Sequence, residues 1–246
     1  MNRYYYDLHV HSCLSPCGDN DNTPNNLAGM AAIKGLQMLA LTDHNTCGNC
    51  PAFYAACKKQ GIIPIAGMEL TTSEDIHMVC LFPSLEAAMA FHETVQEHRI
   101  KIPNRPDIFG EQWILDADDN PLGTEGYLLI NATDLSLEDA VKLVREMNGL
   151  IYPAHIDRES NGIVATLGFF PDSPTFSCVE YKEKEARPRL EQRFPLLKEK
   201  PVVVSSDAHY LWDINEAENF FEVEDEPYSG DKVRNEIFRL LSGGCL

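Results

Sequence analysis

Short apolar segments of strand character alternate with helical segments along most of this 246-residue chain, and this alternation constrains the fold more than any other feature. A strand at 37–42 precedes a helix at 50–59, and a helix at 136–147 precedes a strand at 150–154. Strands that are separated by helices usually pair in parallel. The sequence therefore predicts an α/β fold with a parallel sheet.

One segment, residues 100–133, interrupts the alternation. Pro103, Pro106 and Gly110 mark a loop, and residues 118–121 (DDNP) form a turn signal between two short extended pieces. The chain contains no internal repeat or low-complexity linker that would divide it. We therefore expect residues 1–246 to form a single domain with an inserted loop and hairpin at about 100–133, covering one end of it.

The chain carries a net charge of −18 and has no cluster of Lys and Arg. Proteins that bind duplex nucleic acid usually present a basic face to the phosphates. We therefore expect no stable duplex nucleic-acid partner, whereas a small anionic substrate attracted by local positive charge is compatible with this composition. No apolar run is long enough to span a membrane and no signal peptide is recognisable, so we expect no membrane partner and a cytoplasmic location.

Six of the eight histidines lie on or at the ends of predicted strands, with carboxylates beside them. These histidines are His9, His11, His44, His77, His155 and His209. Residues i and i+2 of a strand point to the same face, so that His9 and His11 can hold one ion. Imidazoles and carboxylates that are buried together are poorly solvated unless they share cations. The sequence therefore predicts a metal centre where the strands end.

Four cysteines, Cys13, Cys17, Cys47 and Cys50, lie in loops close to these histidines. A chain of this length without an export signal is expected to keep its cysteines reduced. A thiolate is a good ligand for Zn²⁺ or Fe²⁺ and a poor one for Mn²⁺. Two interpretations stay open at this point: the four thiols form a separate metal cluster, or they are free thiols near a helix start.

Six motifs, in this order, resemble the ligand motifs of the PHP (polymerase and histidinol phosphatase) superfamily across residues 4–210. The motifs are Asp7-Leu-His9-Val-His11, Thr42-Asp43-His44, Gly67-Met-Glu69, Ile76-His77, Pro153-Ala-His155 and Ser206-Asp207-Ala-His209. The resemblance implies a distorted (β/α)7 TIM-like barrel. It also implies a centre of two or three divalent metal ions, with Zn, Fe and Mn as candidates.

The resemblance implies particular metal ligands. The first metal would be held by His9, His11, Glu69 and Asp207. Glu69 would bridge to a second metal, which is completed by His77 and His155. A third site would use His44, His209 and a residue of the first loop. Many relatives have a histidine or an acid at that loop position, but this chain has Cys17. Whether Cys17 completes the third site, or the site is altered or empty, stays open.

The resemblance further implies a phosphoesterase in which a hydroxide bridged by two metals attacks the phosphorus. The catalytic residues would be Glu69, Asp207, Arg158 and His209. Arg158 follows His155 and is expected to bind the substrate phosphate, although a surface ion pair with Asp157 or Glu159 is the alternative. Asp7 and Asp43 are expected to orient imidazoles through the ring nitrogen that is not bound to metal.

Three functions are compatible with these residues. The first is hydrolysis of phosphomonoesters of small soluble substrates, of the nucleotide, sugar phosphate or histidinol phosphate type, and the acidic composition favours it. The second is a 5′ exonuclease or oligonucleotide phosphodiesterase with the same metal centre, for which the segment 100–133 could supply room. The third is a non-catalytic regulatory module that binds metal, and the complete set of ligands argues against it.

Overall fold

The computed structural model describes residues 1–243, which contain ten strands and eight α-helices. The strands are β1 (Asn2–Val10), β2 (Met38–Leu41), β3 (Ile63–Thr71), β4 (His77–Phe82), β5 (Trp113–Leu115), β6 (Pro121–Thr124), β7 (Leu150–Pro153), β8 (Val179–Tyr181), β9 (Val202–Val204) and β10 (Phe220–Val223). The helices are α1 (Pro24–Ile33), α2 (Cys50–Gln60), α3 (Leu85–His98), α4 (Pro106–Phe109), α5 (Leu137–Glu146), α6 (Ile163–Leu167), α7 (Arg187–Arg193) and α8 (Gly230–Leu241). No helix of these residues is both long and apolar enough to cross a membrane.

Six strands form a curled sheet in the order β10-β1-β2-β3-β4-β7, and β8 pairs with β9 in a separate parallel ladder. Two hydrogen bonds join the region of this second ladder to the sheet, one just after β7 and one just after β1. The Ile156 N–H donates to the Glu180 carbonyl oxygen over 2.9 Å, and the His11 N–H donates to the Ala208 carbonyl oxygen over 2.9 Å. The α/β fold is therefore confirmed, with a sheet that curls into a half-barrel.

The prediction of a wholly parallel sheet is wrong at β4. This strand pairs antiparallel with both β3 and β7. Strand β3 extends to Thr71, so only residues 72–76 separate it from β4. A parallel crossover needs about a dozen residues or more, and this connection is too short to provide one. The curled sheet is therefore not a plain repetition of βα units.

Two apolar clusters lie on opposite sides of the curled sheet. The inner cluster takes alternate residues of the strands, such as Tyr6 and Leu8 of β1 and Val79 and Leu81 of β4, together with buried residues of α8. The outer cluster packs the other strand faces against the surrounding helices. Because strand residues alternate between faces, His77 points to the same side as Val79. The inner face of the sheet is therefore apolar over most of its length and carries polar side chains such as His77 at one end.

Helix starts follow the signals in the sequence. The side chains of Ser84 and Ser136 each accept a hydrogen bond from a backbone N–H three residues later, over 3.2 and 3.1 Å. Such capping satisfies donors that the first helical turn leaves unpaired. The helical segment after β8 is interrupted, because α7 ends at Arg193 and a 3₁₀ helix begins at Pro195. Proline lacks the N–H that a continuous helix would need there.

The segment between α3 and α5 contains α4 and an antiparallel hairpin of β5 and β6, as the turn signal at 118–121 predicts. Its backbone is tied to the loops that follow β1 and β2. The Asn45 amide donates to the Leu129 carbonyl oxygen over 2.7 Å, and the Trp113 N–H donates to the Cys13 carbonyl oxygen over 3.1 Å. Since Asn45 follows His44, this segment borders the predicted metal centre.

Candidate metal centre

Local backbone features direct the polar side chains inward where the strands end. The pairing of β1 with β2 shifts its register between Asp7 and Val10, just before His11. At Gly67 of β3, a Cβ atom would lie 2.3 Å from the Cys80 carbonyl oxygen, so only glycine lets β4 pair closely beside Glu69. His155 and Asp207 both have positive φ angles, an uncommon conformation that often occurs at functional sites.

The Glu69 carboxylate is the centre of the cluster and is fully buried. Its Oε1 atom lies 2.8 Å from His77 Nδ1, 3.1 Å from His155 Nε2 and 3.4 Å from His9 Nε2. Its Oε2 atom lies 3.0 Å from His44 Nδ1 and 3.3 Å from His11 Nε2. One carboxylate therefore contacts five imidazoles that come from four different strands or strand ends.

Asp207 lies on the other side of His9 and His11. Its Oδ1 atom is 3.1 Å from His11 Nε2, 3.4 Å from His9 Nε2 and 3.6 Å from His209 Nδ1. The two imidazole Nε2 atoms are themselves 3.2 Å apart. Two carboxylates and two imidazoles thus converge on one point.

Three groups of ligand atoms lie close enough together to share a cation, with all atoms of each group within 4.8 Å of one another. These groups are His9, His11, Glu69 and Asp207, then His44, Glu69 and His77, and finally His11, His44 and His209. His155 joins the second group through its contact with Glu69. The groups overlap at Glu69, His11 and His44, as expected of neighbouring sites in one polynuclear centre.

The carboxylates control the protonation of the first group. Burial lowers the pKa of His11, but Asp207 and Glu69 outweigh burial and raise the pKa to about 9. The pKa of His9 is likewise raised well above its ordinary value, by Glu180, Glu69 and Asp207 against burial. Burial would raise the pKa of Glu69, yet the imidazoles, His77 foremost, hold that pKa well below its ordinary value. Without cations, protons on these imidazoles balance the carboxylates.

Two imidazoles of the third group, those of His44 and His209, have lowered pKa values. Burial lowers the pKa of His44 to about 4, although the carboxylate of Glu69 opposes this shift. Burial and the neighbouring His11 lower the pKa of His209 to about 3. Both rings are therefore neutral near pH 7, with lone pairs available to a cation.

Two observations show that the donor set suits divalent cations. Glu69 Oε2 and His44 Nδ1 are buried 3.0 Å apart, yet neither atom makes an aligned hydrogen bond. Two ligands of one tetrahedral metal lie about 3.4 Å apart, close to the separations between imidazole nitrogens and carboxylate oxygens here. Histidine and carboxylate donors together suit Zn, Fe and Mn. These residues therefore fit a centre of divalent metal ions, and the donor types do not distinguish which metal binds.

Arg158 lies at this centre and does not pair with Asp157 or Glu159. Its Nη1 atom donates a hydrogen bond to Asp207 Oδ2, whereas His9 and His11 contact Asp207 Oδ1. The Arg158 side chain is 41% exposed, so the rest of the guanidinium faces the solvent at the opening. Asp157 instead accepts hydrogen bonds from the backbone N–H groups of Lys182 and Glu183.

Cys17 lies at the exposed rim of the opening and does not belong to any of the three groups. Local burial of its thiol, with the Glu69 and Asp207 carboxylates nearby, raises the pKa of Cys17 to about 12. The thiol is therefore protonated at neutral pH in this arrangement.

The four loop cysteines, Cys13, Cys17, Cys47 and Cys50, do not assemble into a separate thiolate cluster. Within residues 1–243, no group of three ligand atoms as close as those above contains a cysteine sulfur. The thiols of Cys47 and Cys50 are buried and donate to the Gly67 carbonyl oxygen, over 3.2 and 3.7 Å. These two cysteines therefore act as small core residues that support β3.

The expected roles of Asp7 and Asp43 need correction, because neither carboxylate contacts an imidazole ring nitrogen. Asp7 accepts hydrogen bonds from the backbone N–H groups of Ser206 and Asn215, over 3.1 and 3.0 Å, and so holds the loop that carries Asp207. Asp43 accepts from the Ser15 hydroxyl over 2.7 Å, and the Ser15 oxygen lies 3.0 Å from His11 Nδ1. Asp43 therefore reaches His11 only through Ser15.

Glu180 of β8 is buried beside the centre, and the sequence did not indicate that it belongs there. Its Oε1 atom accepts a hydrogen bond from His9 Nδ1 over 2.8 Å. The available signal was a glutamate between apolar residues of a short strand, β8, where a buried charge needs a partner. Sequence alone gave no indication of which partner that would be.

Comparison with known proteins identifies the family. The sequence matches the PHP domain over residues 7–144, which is more than half of the chain. The chain belongs to the PHP family. Membership of this family identifies it as a metal-dependent hydrolase, and the clustered His, Glu and Asp side chains agree with the use of divalent metals.

Two PHP relatives with established names align with part of this chain. A 5′-3′ exoribonuclease of Haemophilus influenzae is 33% identical over 102 residues, which cover 38% of this chain and 36% of the relative. A 3′,5′-nucleoside bisphosphate phosphatase of Chromobacterium violaceum is 33% identical over 100 residues, covering 39% and 34%. The chain thus spans only about a third or less of the lengths of the curated relatives it matches.

Solved structures share the PHP fold across almost the whole chain. An amidohydrolase from Chromobacterium violaceum with bound sulfate and no metal has a TM-score of 0.58 at 20% identity, covering 98% of this chain and 96% of its own. Endonuclease Q from Pyrococcus furiosus has a TM-score of 0.63 at 19% identity, covering 98% and 56%. At these identities the likeness concerns the fold.

The sequence led us to expect a small phosphorylated substrate and no duplex nucleic-acid partner. The exclusion of duplex nucleic acid is wrong. An endonuclease Q structure with the same fold, at a TM-score of 0.63, contains a 27-mer duplex with an abasic lesion at its active site. Net charge was a poor criterion, because the field at a site depends on the charges nearest to it. A protein that contains this fold therefore binds duplex DNA, and a net charge of −18 alone does not exclude such a substrate.

Proposed function

We propose that the chain is a metal-dependent phosphoesterase that hydrolyses phosphate esters of nucleotides or of nucleic-acid strands. The observation that carries this proposal is the Glu69 carboxylate, which contacts five imidazoles and lies beside Asp207 at one opening of the curled sheet. The two relatives at 33% identity support the substrate class, because both are named for phosphate esters of ribonucleotides or nucleosides.

The overlapping groups suggest how the cations would be held. His9, His11, Glu69 and Asp207 would bind one, Glu69 with His77 and His155 a second, and His44 with His209 and His11 a third. Bound divalent cations would supply Lewis-acid chemistry, acidifying water and neutralising phosphate oxygens. Glu69 and Asp207 provide the negative charge that attracts cations. The neutral His209 would donate a ring-nitrogen lone pair to a cation and would not act as a general acid.

The proposal extends to the architecture. Residues 1–246 would form one PHP domain whose distorted (β/α)7 barrel consists of β1, β2, β3, β4, β7, β8 and β9, with residues 100–133 inserted along its rim. The hydrogen bonds of Ile156 and His11 to the second ladder support closure of the barrel. Exposed aromatic side chains at the rim suit a substrate that carries a base, since Tyr210 follows His209 directly and is 52% exposed.

The test is a substrate panel with protein purified without chelator and loaded separately with Zn²⁺, Fe²⁺ or Mn²⁺. The panel contains a nucleoside 3′,5′-bisphosphate, a 5′-phosphorylated single-stranded oligonucleotide and a duplex with an abasic site. We expect phosphate release or strand shortening with at least one of them. Bound metal with no hydrolysis of any substrate would refute the proposal in favour of a non-catalytic module.

We further propose that Arg158 binds a substrate phosphate oxygen. Arg158→Ala should lower kcat/KM by about 10- to 100-fold, because a hydrogen bond to a charged group contributes about 1.5–3 kcal/mol. Metal content measured by mass spectrometry should stay unchanged. Arg158→Lys should be intermediate, because lysine keeps the charge but loses the two-pronged geometry. Arg189→Ala, on the exposed face of α7, is the matched control, and equal kinetics for both alanine variants would refute the phosphate role.

We also propose that Cys17 completes the third site when the first loop moves inward over His44 and His209. A thiolate prefers Zn²⁺ to Mn²⁺. Cys17→Ser should therefore reduce bound Zn²⁺ by one equivalent and leave the Mn²⁺ stoichiometry unchanged. The Mn²⁺ titration of this variant is the control for the Zn²⁺ titration. Unchanged Zn²⁺ binding would show that the thiol is not a ligand.

A further inference from the structure

Glu180 connects two parts of the centre without itself belonging to any of the three ligand groups. Its side chain is fully buried on β8. The Oε1 atom accepts a hydrogen bond from His9 Nδ1 over 2.8 Å and a second one from the His155 backbone N–H over 3.0 Å. A single carboxylate oxygen thus holds the ring of one proposed ligand and the backbone of another.

The hydrogen bond to His9 determines which ring nitrogen faces the cations. A carboxylate accepts hydrogen bonds and therefore keeps the proton of His9 on Nδ1. Once a cation replaces the second ring proton, the Nε2 lone pair points to the space shared by His11 Nε2, Glu69 and Asp207, at 3.2 to 3.4 Å. If the Nδ1 proton lost its acceptor, the ring could adopt the other tautomer, in which Nε2 cannot bind a metal.

The hydrogen bond to His155 holds a backbone corner in place. Strand β7 ends at Pro153, and His155 has a φ angle of 29°, so its N–H has left the regular strand pairing. The Glu180 side chain satisfies this N–H, and the Glu180 carbonyl oxygen accepts from the next N–H, of Ile156, over 2.9 Å. The orientation of the His155 ring toward Glu69 therefore depends on Glu180.

We propose that Glu180 is a positioning residue that couples the two cation sites, by fixing His9 of the first site and His155 of the second through one carboxylate oxygen. The proposal rests on the proposed metal centre and not on the identity of the substrate. A carboxylate that only filled space would be replaceable by an isosteric neutral side chain. A carboxylate that orients ligands should be needed for cation affinity at both sites.

The test is cation affinity and stoichiometry, measured by competition with a chromophoric chelator, with Zn²⁺ as the probe. Glu180→Gln keeps the shape and one acceptor but loses the charge, and we expect affinity to fall about tenfold at both sites. Glu180→Leu removes both acceptors, and we expect a fall of about 100-fold. Glu183→Gln makes the same chemical change on an exposed side chain three residues later and should bind Zn²⁺ as the unmodified protein does.

A second measurement examines the tautomer directly. In the unmodified protein the His9 Nδ1 proton should give a protected, downfield imidazole NMR signal, which should be absent in Glu180→Leu. If the leucine variant fails to fold, the glutamine variant decides the question through its Zn²⁺ affinity. Unchanged affinity in Glu180→Gln, or a loss confined to one of the two sites, would overturn the proposal. Absence of phosphoesterase activity would leave these binding results intact and count only against the proposed function.

Discussion

Replacement of Glu69 by glutamine is expected to lower the bound metal content and the activity together. An amide cannot bridge two cations with two negative oxygens, and it removes the charge that faces five imidazoles. Breaking one partner of a buried charge cluster costs about 3–5 kcal/mol. We therefore expect kcat/KM to fall by at least about 100-fold and bound metal, measured by mass spectrometry, to fall by at least one equivalent.

The control for this variant is Glu97→Gln, which makes the same change on the exposed face of α3. It should keep both metal and activity. The thermal unfolding midpoint of each variant separates a local effect from misfolding. If Glu69→Gln kept its full metal content and activity, the bridging role of Glu69 would be wrong, and the metal centre would need another organising carboxylate.

Cation binding is expected to stabilise the fold strongly, and more so at high pH. A cation present at 100 times its dissociation constant adds about 2.7 kcal/mol per site. For a chain of this size each kcal/mol corresponds to about 2–4 °C in Tm. We therefore expect Tm to rise by about 5–10 °C for each site that Zn²⁺ or Mn²⁺ fills, and to return when a chelator removes the cation.

The pH dependence of this shift follows from the histidines. Burial opposes protonation of His11, but Asp207 and Glu69 raise its pKa to about 9, above the value of about 6.5 in an unfolded chain. The stabilisation from this proton is complete below pH 6.5 and is lost as the pH rises through about 9. Cations compete with the same proton. The rise in Tm should therefore be larger at pH 9 than at pH 6.

Scanning fluorimetry at both pH values measures this effect. His98→Asn, which removes a histidine at the end of α3, should leave the cation-induced shift unchanged. An equal shift at pH 6 and pH 9 would contradict the competition between cations and protons. The absence of any shift would contradict the metal centre itself.

The sequence was most informative where a local pattern has a local cause. Ser84 and Ser136 cap the helices that they precede, because a capping hydroxyl acts only three residues away. The polar motifs lie at or near the ends of strands, with His77 at the start of β4. The sequence was less informative where two distant segments meet. The antiparallel β4 depends on how far β3 extends, and the strand pattern did not fix that end point.

Strand periodicity predicted that His9 and His11 share a face, and the resemblance of the six motifs to a known family indicated Glu69, Asp207 and the other histidines. The tertiary structure alone decided which groups meet across the opening of the sheet. It paired Glu180 with His9, turned Asp7 and Asp43 toward backbone and serine groups, and joined Arg158 to Asp207. The physical reason is that curling of the sheet brings together residues up to about two hundred positions apart, and no local pattern records those distances.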